Sequence, residues 1–559
     1  MKTFCKTIFL FSIFAVVGWQ PTTIAQQTVG LFTNNSGNQP GYVLFAPTAS
    51  DTTYLIDKCG YRIHTWGSNY HPGLACYLLN DGNLLRAGNT QNTYFNGGGQ
   101  GGIIEKRDWN NNLIWSYTIS DSLQCQHHDI HQLPNGNVLA IVWEKHTDSA
   151  AIANGRNPAN VGTNFWSEKI IEVQPTGATG GNIVWQWRVW DHLVQHFDTT
   201  KLNYAVVPLH PELVNLNYNP GSASDWLHIN GLDYNAATDE IIMSVHNFNE
   251  LWIIDHSTST AQAASHSGGI HLHGGDLIYR WGNPQAYGRG ALANKKFYTL
   301  HNAQWIADSL HDGGKIMVFN NGSGRPTGSY SSVDIIQPPV DSLGNYSIVG
   351  NNAFLPDSAE WSYVASPPTS FYSNIIGGAQ RIQNGNTLIC NGRNGIFFEI
   401  DSAKNIVWDY VNPAVANGCL SQGDTAQNNS SFRAGFYPVN YAGFAGNVLT
   451  PGAPLELNPT PYSCNMLASV AEIKSENNFH FLNPFTDEII FSTSQNEKNI
   501  SVSLYDLTGR EILSEKNICV NANEFISLSV SQNISSGIYL LKISSAKNNF
   551  VTKLFHEEN

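Results

Sequence analysis

A chain of 559 residues with only 13% charged positions and a formal net charge of −14 has no positive surplus with which to displace phosphate counterions, which excludes non-specific nucleic-acid binding. The 49 glycines, 15 tryptophans and 23 tyrosines, with no stretch of helical periodicity, point to β-structure. Beyond the first residues no segment approaches the roughly 20 apolar residues of a transmembrane helix, and any anionic substrate has to be held by a local site working against the global field.

In chain order, Lys2 and Lys6, the apolar run Ile8 to Val17 and the small exit Thr23-Ile24-Ala25 read as a secretory signal peptide over residues 1–25. The mature protein is expected to be secreted or held at the cell surface. Removing Cys5 with that peptide leaves Cys59, Cys76, Cys125, Cys390, Cys419, Cys464 and Cys519, an odd count that leaves at least one thiol unpaired. None sits in a CxxC pair, so no cysteine-based zinc site is indicated.

A two-part unit then recurs. Its first half is an Asp/Asn-Gly-Asn turn before an apolar strand: Asp81-Gly82-Asn83, Asn135-Gly136-Asn137 and Asn384-Gly385-Asn386, with a degenerate copy at Asp312-Gly313-Gly314. Its second half is a strand with an acidic end, a polar turn and a tryptophan: Asp57 to Trp66, Glu105 to Trp115, Glu172 to Trp185, Asp255 to Trp281 and Asp401 to Trp408, with a divergent copy near Val333-Asp334. Such turns between apolar runs are hairpin signals, and about six hairpin units that cannot bury their own faces imply radial stacking. The expected fold is all-β: a six-bladed β-propeller over residues 26–455, closed by strands from both ends of the domain. The long insertion 188–225 is expected to cap one end of the channel.

A Pro-rich linker over 456–469 leads into residues 470–559, where Asn483-Pro484-Phe485, Val502 to Arg510 and Ser536 to Ile543 read as strands of a small β-sandwich. These phrases resemble the C-terminal type A sorting domain of type IX secretion, which makes the type IX secretion machinery an expected partner.

Nineteen histidines are many for so few charges. Four segments place them near strand ends in different repeat units: Gln126-His127-His128-Asp129-Ile130-His131, Asp225-Trp226-Leu227-His228-Ile229-Asn230, Ser244-Val245-His246-Asn247 and Leu300-His301-Asn302. In a propeller, equivalent positions of successive blades converge on the channel, so these histidines are expected to share one site. A metal site from His127, His128, His131 and Asp129 is the competing reading, and strand alternation argues against it by sending His127 and His128 to opposite faces. Trp226, Phe248, Trp252 and Trp305 are candidates for stacking on aromatic ligands or for the core between blades.

The phrases His127-His128-Asp129-Ile130-His131-Gln132-Leu133-Pro134-Asn135-Gly136-Asn137, Asp225 to Asn230 and Gly377-Gly378-Ala379-Gln380-Arg381 to Thr387 resemble the bacterial aryl-sulfate sulfotransferases. The resemblance spans most of residues 40–415. It implies transfer of a sulfuryl group from an aryl sulfate donor to a phenolic acceptor through a sulfated histidine, with no nucleotide donor and no cofactor. This agrees with the lack of a Gly-rich phosphate loop. By order and context the nucleophile is His301, supported by His228 and His128, with His127 as substitute, while Asn230, Arg381 and Arg393 are candidate substrate binders. At the position of the family's helper arginine this chain has His246. A histidine there is cationic only if its pKa is raised, so activity is expected to weaken with rising pH. A non-catalytic propeller binding aromatic or glycan ligands is the alternative reading, and water in place of the phenol makes a hydrolase.

Overall fold

The computed structural model of the chain describes residues 27–162, 164–219, 224–342, 344–460, 464, 479–481, 485–506, 509–530, 534–545 and 549–556. The expected signal peptide lies outside them, as do Asn483, Pro484, Leu507 and Thr508 of the expected tail strands. The chain divides into two units, residues 1–466 and 467–559.

The first unit is built of six antiparallel sheets, five of four strands and one of five. Numbered in the order in which the chain enters them, the sheets have the inner strands Ser431–Pro438 (first), Pro72–Leu78 (second), Gln124–Gln132 (third), Ile229–Asn235 (fourth), Leu300–Trp305 (fifth) and Gly378–Arg381 (sixth). Each inner strand packs against that of the next sheet, and the last packs against the first, so the six close a ring around a central channel. Closure uses both chain ends. Ser431–Pro438 joins Gly41–Pro47, Thr52–Asp57 and Arg62–Gly67, and Gly30–Asn34 adds a fifth strand beside Ile406–Val411.

The repeated sequence halves have separate physical tasks. The Asp/Asn-Gly-Asn turns join the first and second strands of their sheets, and only the glycine is left-handed, with φ of 81° at Gly82, 87° at Gly136 and 86° at Gly385. This is the three-residue turn with a glycine bulge, not the two-residue turn that needs positive φ twice. The preceding Asp or Asn side chain accepts the backbone N–H two residues on, at 3.0 Å for Asp81 and 2.9 Å for Asn135, which explains the first position of the motif.

The tryptophan half clamps the ring. From the fourth strand of one sheet the indole N–H reaches the third-to-fourth-strand region of the next: Trp66 to Asp108 O (3.0 Å), Trp115 to Gly180 O (2.8 Å), Trp185 to Thr258 Oγ1 (3.2 Å), Trp281 to Pro356 O (2.7 Å) and Trp408 to Lys58 O (2.7 Å). Each buries a large ring between sheets and adds a hydrogen bond of about 1 kcal/mol net. The tryptophan therefore recurs because each sheet needs a seam to its neighbour.

Cys59 and Cys464 form a disulfide within the first unit, while Cys76, Cys125, Cys390, Cys419 and Cys519 are free thiols. Of the expected linker, Leu457 bridges Ser421 and Cys464 is tied by the disulfide, so these positions belong by contact to the first unit. The second unit has a three-stranded and a four-stranded sheet around its own core of Ile489, Phe491, Ile500, Val502, Leu504, Leu541 and Ile543. No helix of the described residues is long and apolar enough to cross a membrane.

Candidate active site

The inner strands are irregular at the end where they begin. Leu74 (φ 86°), His128 (53°), His228 (55°) and Asn302 (50°) are left-handed non-glycine residues, and the pairing register of their four strands slips beside each. Such conformations cost about 1–3 kcal/mol each and re-aim the side chains around them. At the third sheet this overturns the expected alternation. His127 and His128 do not point to opposite faces: the left-handed turn at His128 brings their Nδ1 atoms to 2.9 Å.

The histidines from three sheets form an arc. Ring centroids lie 5.2 Å apart for His127 and His128, 4.6 Å for His128 and His228, 5.0 Å for His228 and His246, and 5.7 Å for His246 and His301. Phe432, from the closing inner strand, packs 6.1 Å from His128 and 6.3 Å from His301. His127, His128 and His301 are buried, while His228 and His246 are partly open to solvent.

The hydrogen bonds assign the tautomers. Asn321 Nδ2 donates to Ser373 O (2.8 Å) and Ile376 O (2.9 Å), so its Oδ1 faces His301 Nδ1 at 2.7 Å and can only accept. The His301 proton therefore sits on Nδ1, and Nε2 keeps its lone pair. The same logic holds at His246, whose Nδ1–H donates to Asn247 Oδ1 (2.8 Å) because Asn247 Nδ2 donates to Asp225 O (3.0 Å) and Trp226 O (3.3 Å). His127 Nε2 is buried without a hydrogen-bond partner. A lone acceptor is tolerated there better than an orphan N–H, so His127 donates its Nδ1–H to His128 and leaves the His128 proton on Nε2.

His228 Nδ1 pairs with Asp225 Oδ2 at 2.5 Å, and Asp225 Oδ1 accepts from Trp143 Nε1 at 3.1 Å. Trp143 in turn stacks on His127, centroids 3.9 Å apart at 4°. Burial pushes the Asp225 carboxyl up, but the charge and hydrogen bond of His228 outweigh it and hold it below the usual carboxylate range. Asp225 comes from the end of the insertion 188–225, which thus supplies a site residue.

Burial holds His301, His128 and His127 well below the ordinary histidine pKa. At His301 the neighbouring charge of His246 adds to the effect, the Asn321 bond opposes it, and Arg433 contributes on the lowering side. His246 is lowered to about 4, first by burial and then by His228, with Lys295 contributing. This corrects the expected cationic His246: at neutral pH its ring is neutral, and the nitrogen it has free is an acceptor.

The loop Gly97-Gly98-Gly99-Gln100-Gly101 lies against these rings. Gly99 is left-handed (φ 78°), its carbonyl accepts the His128 N–H at 2.8 Å, and a Cβ there would overlap the His128 imidazole. A Gly99→Ala variant is expected to displace His128 and lower any turnover at this site by about 10²-fold while the protein stays folded, as kcat and circular dichroism measured side by side will check.

Other expected site residues lie elsewhere. Asn230 is buried and joins two inner regions, donating to Leu300 O (3.0 Å) and accepting from Ser244 Oγ (2.9 Å), so it positions the strands that carry His228 and His301. Arg381 is held by Asp312 Oδ2 (2.7 Å), Thr387 Oγ1 (2.7 Å) and Gly385 O (3.1 Å) at a hairpin end, and Arg393 is exposed on the turn Gly392–Asn394. Trp226, Phe248 and Trp252 are fully buried core residues.

The cations that do bear on the arc are Arg433 and Lys295. Arg433 donates to Asp129 Oδ2 (2.6 Å) and Tyr77 Oη (2.8 Å), and Lys295 rests 4.6 Å over the Tyr298 ring. Beyond Arg433, toward the far ends of the inner strands, a cavity of about 690 Å³ is lined by Tyr77, His131, Asp233, Gln304 and Gln380, and the four catalytic candidates do not line it. Sequence reasoning missed Asp225 as a partner, Trp143, Asn321, Lys295 and Arg433. The first was legible as an Asp three residues before His228, and the glycine run 97–99 marked the close approach.

A family model described as arylsulfotransferase matches residues 51–433, and one described as a secretion system C-terminal sorting domain matches residues 481–557. No curated protein matches the chain. Among solved structures, a protein of unknown function from Bacteroides caccae is 10% identical with a TM-score of 0.37, over 71% of this chain and 98% of that one. A streptogramin B lyase is 9% identical (TM-score 0.31; 70% and 84% covered), as is virginiamycin B lyase from Staphylococcus aureus (TM-score 0.30; 67% and 86% covered).

Proposed function

Since this chain belongs to the arylsulfotransferase family, through residues 51–433, we propose that it moves a sulfuryl group from an aryl sulfate ester to a phenol by way of a sulfated His301. The observation that carries this reading is the Asn321 amide, whose two backbone acceptors leave its oxygen to hold the His301 proton on Nδ1 and the lone pair on Nε2. The sorting domain at 481–557 indicates secretion by the type IX route, so the reaction runs outside the cytoplasm.

In the first half-reaction the Nε2 lone pair of His301 attacks sulfur. The bond between sulfur and the aryl oxygen breaks, and the phenolate leaves with its electron pair. The His128 Nε2–H faces the sulfuryl oxygens as a preorganised donor, and Asp225 fixes the neighbouring His228 ring through its Nδ1. In the second half the acceptor phenol gives its proton to His246 Nε2 while its oxygen attacks sulfur and the N–S electrons return to His301. His246, lowered to about 4, then gives that proton to water, and the released phenolate takes one from water, so the cycle returns both histidines to their starting form. A neutral His246 is thus a general base where the family has a cationic arginine, and Lys295 and Arg433 supply the positive field.

The test is incubation of the mature protein with an aryl sulfate, with and without a phenol. Acceptor-dependent sulfation is the expected result, acceptor-independent sulfate release would make it a hydrolase, and silence across donors would leave a binding propeller. The pH profile follows from the same groups. Both His301 and His246 work uncharged and both titrate below the usual histidine range, so their contribution is complete above about 6 and is lost as pH falls toward the His246 value of about 4. A kcat/KM profile that is flat from pH 6 to 8 is expected. A decline with rising pH across that window would restore the cationic role for His246.

A further inference from the structure

A second convergence of ligand atoms lies away from the arc, where the insertion 188–225 meets the connection between the third and fourth strands of the fourth sheet. His192 Nδ1 and His266 Nδ1 each lie 2.8 Å from the same oxygen, Oδ1 of Asp276. The three ligand atoms are all within 4.8 Å of one another. His192 is fully buried and Asp276 nearly so, while His266 is exposed.

The bonding at His192 gives it the outer support that a ligating imidazole has. Its Nε2 faces Ala263 O at 2.8 Å, and a carbonyl only accepts, so Nε2 carries the proton. In the neutral form of the ring the lone pair is on Nδ1, directed at a carboxylate oxygen that also has only lone pairs to offer. With both rings neutral, His192, His266 and Asp276 offer three electron pairs from atoms within 4.8 Å of one another, and a cation bound by all three satisfies them. A ligating histidine whose second nitrogen donates to a backbone carbonyl is the usual outer support of a metal site.

We propose that His192, His266 and Asp276 bind a divalent d-block ion of the Zn²⁺ class. Two imidazoles and a carboxylate are its customary ligands, and water completes the tetrahedron on the open His266 side. The ion would tie the insertion to the fourth sheet upstream of Asp225, so its place is structural, remote from the sulfuryl-transfer arc. Trp187, whose ring is parallel to His192 with centroids 5.8 Å apart, is a built-in reporter.

The full mature protein is stripped with chelator, dialysed and titrated with Zn²⁺, and with Co²⁺ for its tetrahedral absorption bands. One equivalent of Zn²⁺ should bind, raise the melting temperature and be lost in His266→Ala, an exposed position whose replacement leaves the buried pair in place. Asp276→Asn should weaken it too. A Co²⁺ titration should quench Trp187 fluorescence in the parent and not in a Trp187→Phe variant. The proposal fails if the parent takes up no zinc, in which case a proton holds His192 to Asp276. It fails equally if His266→Ala binds as much as the parent, or if the equivalent disappears in His246→Ala, which would put the ion in the arc.

Discussion

Replacing His301 by alanine should abolish acceptor sulfation, lowering kcat by about 10⁴-fold or more, because removal of a covalent nucleophile takes away the step that every other group serves. The variant should still fold. Among the described residues the His301 side chain makes one hydrogen bond, to Asn321, and leaving that buried oxygen unpaired costs about 1–3 kcal/mol, which a closed ring of six sheets can absorb. Donor binding should change little, since His128, His228, Lys295 and Arg433 remain. Mass spectrometry of parent protein mixed with donor alone should find a sulfate adduct on the peptide containing His301, and the alanine variant should show none. More than about 1% residual transfer, or an adduct on another histidine, would move the nucleophile elsewhere in the arc.

Much of the architecture was readable because the repeat encodes two local devices. Asp/Asn-Gly-Asn marks a turn whose glycine alone can be left-handed, and the outer-strand tryptophan marks the seam to the next sheet; both appear where the sequence places them. The fourth sheet lacks the glycine signal: Ile229–Asn235 and Glu240–Val245 are joined through Ala236-Ala237-Thr238-Asp239, where Asn235 Oδ1 accepts the Ala237 N–H at 3.0 Å and Asp239 is left-handed (φ 53°). The bulges were not legible either. Strand alternation is a rule for regular strands, and His128 departs from it because its left-handed backbone breaks the register of its strand.

The arc was legible as a set of histidine segments, because propeller geometry brings equivalent strand starts together. What each imidazole can do was not, because its partner comes from a distant position. Trp143 and Asp225 are 82 residues apart, Arg433 lies 304 residues from Asp129, and no spacing rule connects them. The same limit explains His246. Its identity at the family's arginine position suggested a cation, whereas its burial and the fixed Asn247 amide make it neutral with a free acceptor nitrogen. Residue type alone does not carry protonation state.

Asn321 offers the sharpest test of that distinction, because it touches no substrate in the proposed mechanism and acts only by placing a proton. In Asn321→Ala the His301 Nδ1–H loses its acceptor, the ring can carry its proton on Nε2, and that form has no lone pair for sulfur. Loss of tautomer control over a catalytic imidazole lowers turnover by up to about 10⁴-fold elsewhere, and a fall in kcat of about 10²- to 10⁴-fold is expected here, with KM within a few-fold of the parent. Two buried carbonyls, Ser373 O and Ile376 O, lose a donor as well, so stability should drop by about 2–4 kcal/mol. Stability loss alone would not separate the two roles. Nitrogen NMR of the labelled imidazole does: the parent should show His301 protonated on Nδ1 and the variant a mixture. If kcat stays within threefold while the tautomer shifts, proton placement is not what limits the attack, and Asn321 is only a brace between the fifth and sixth sheets.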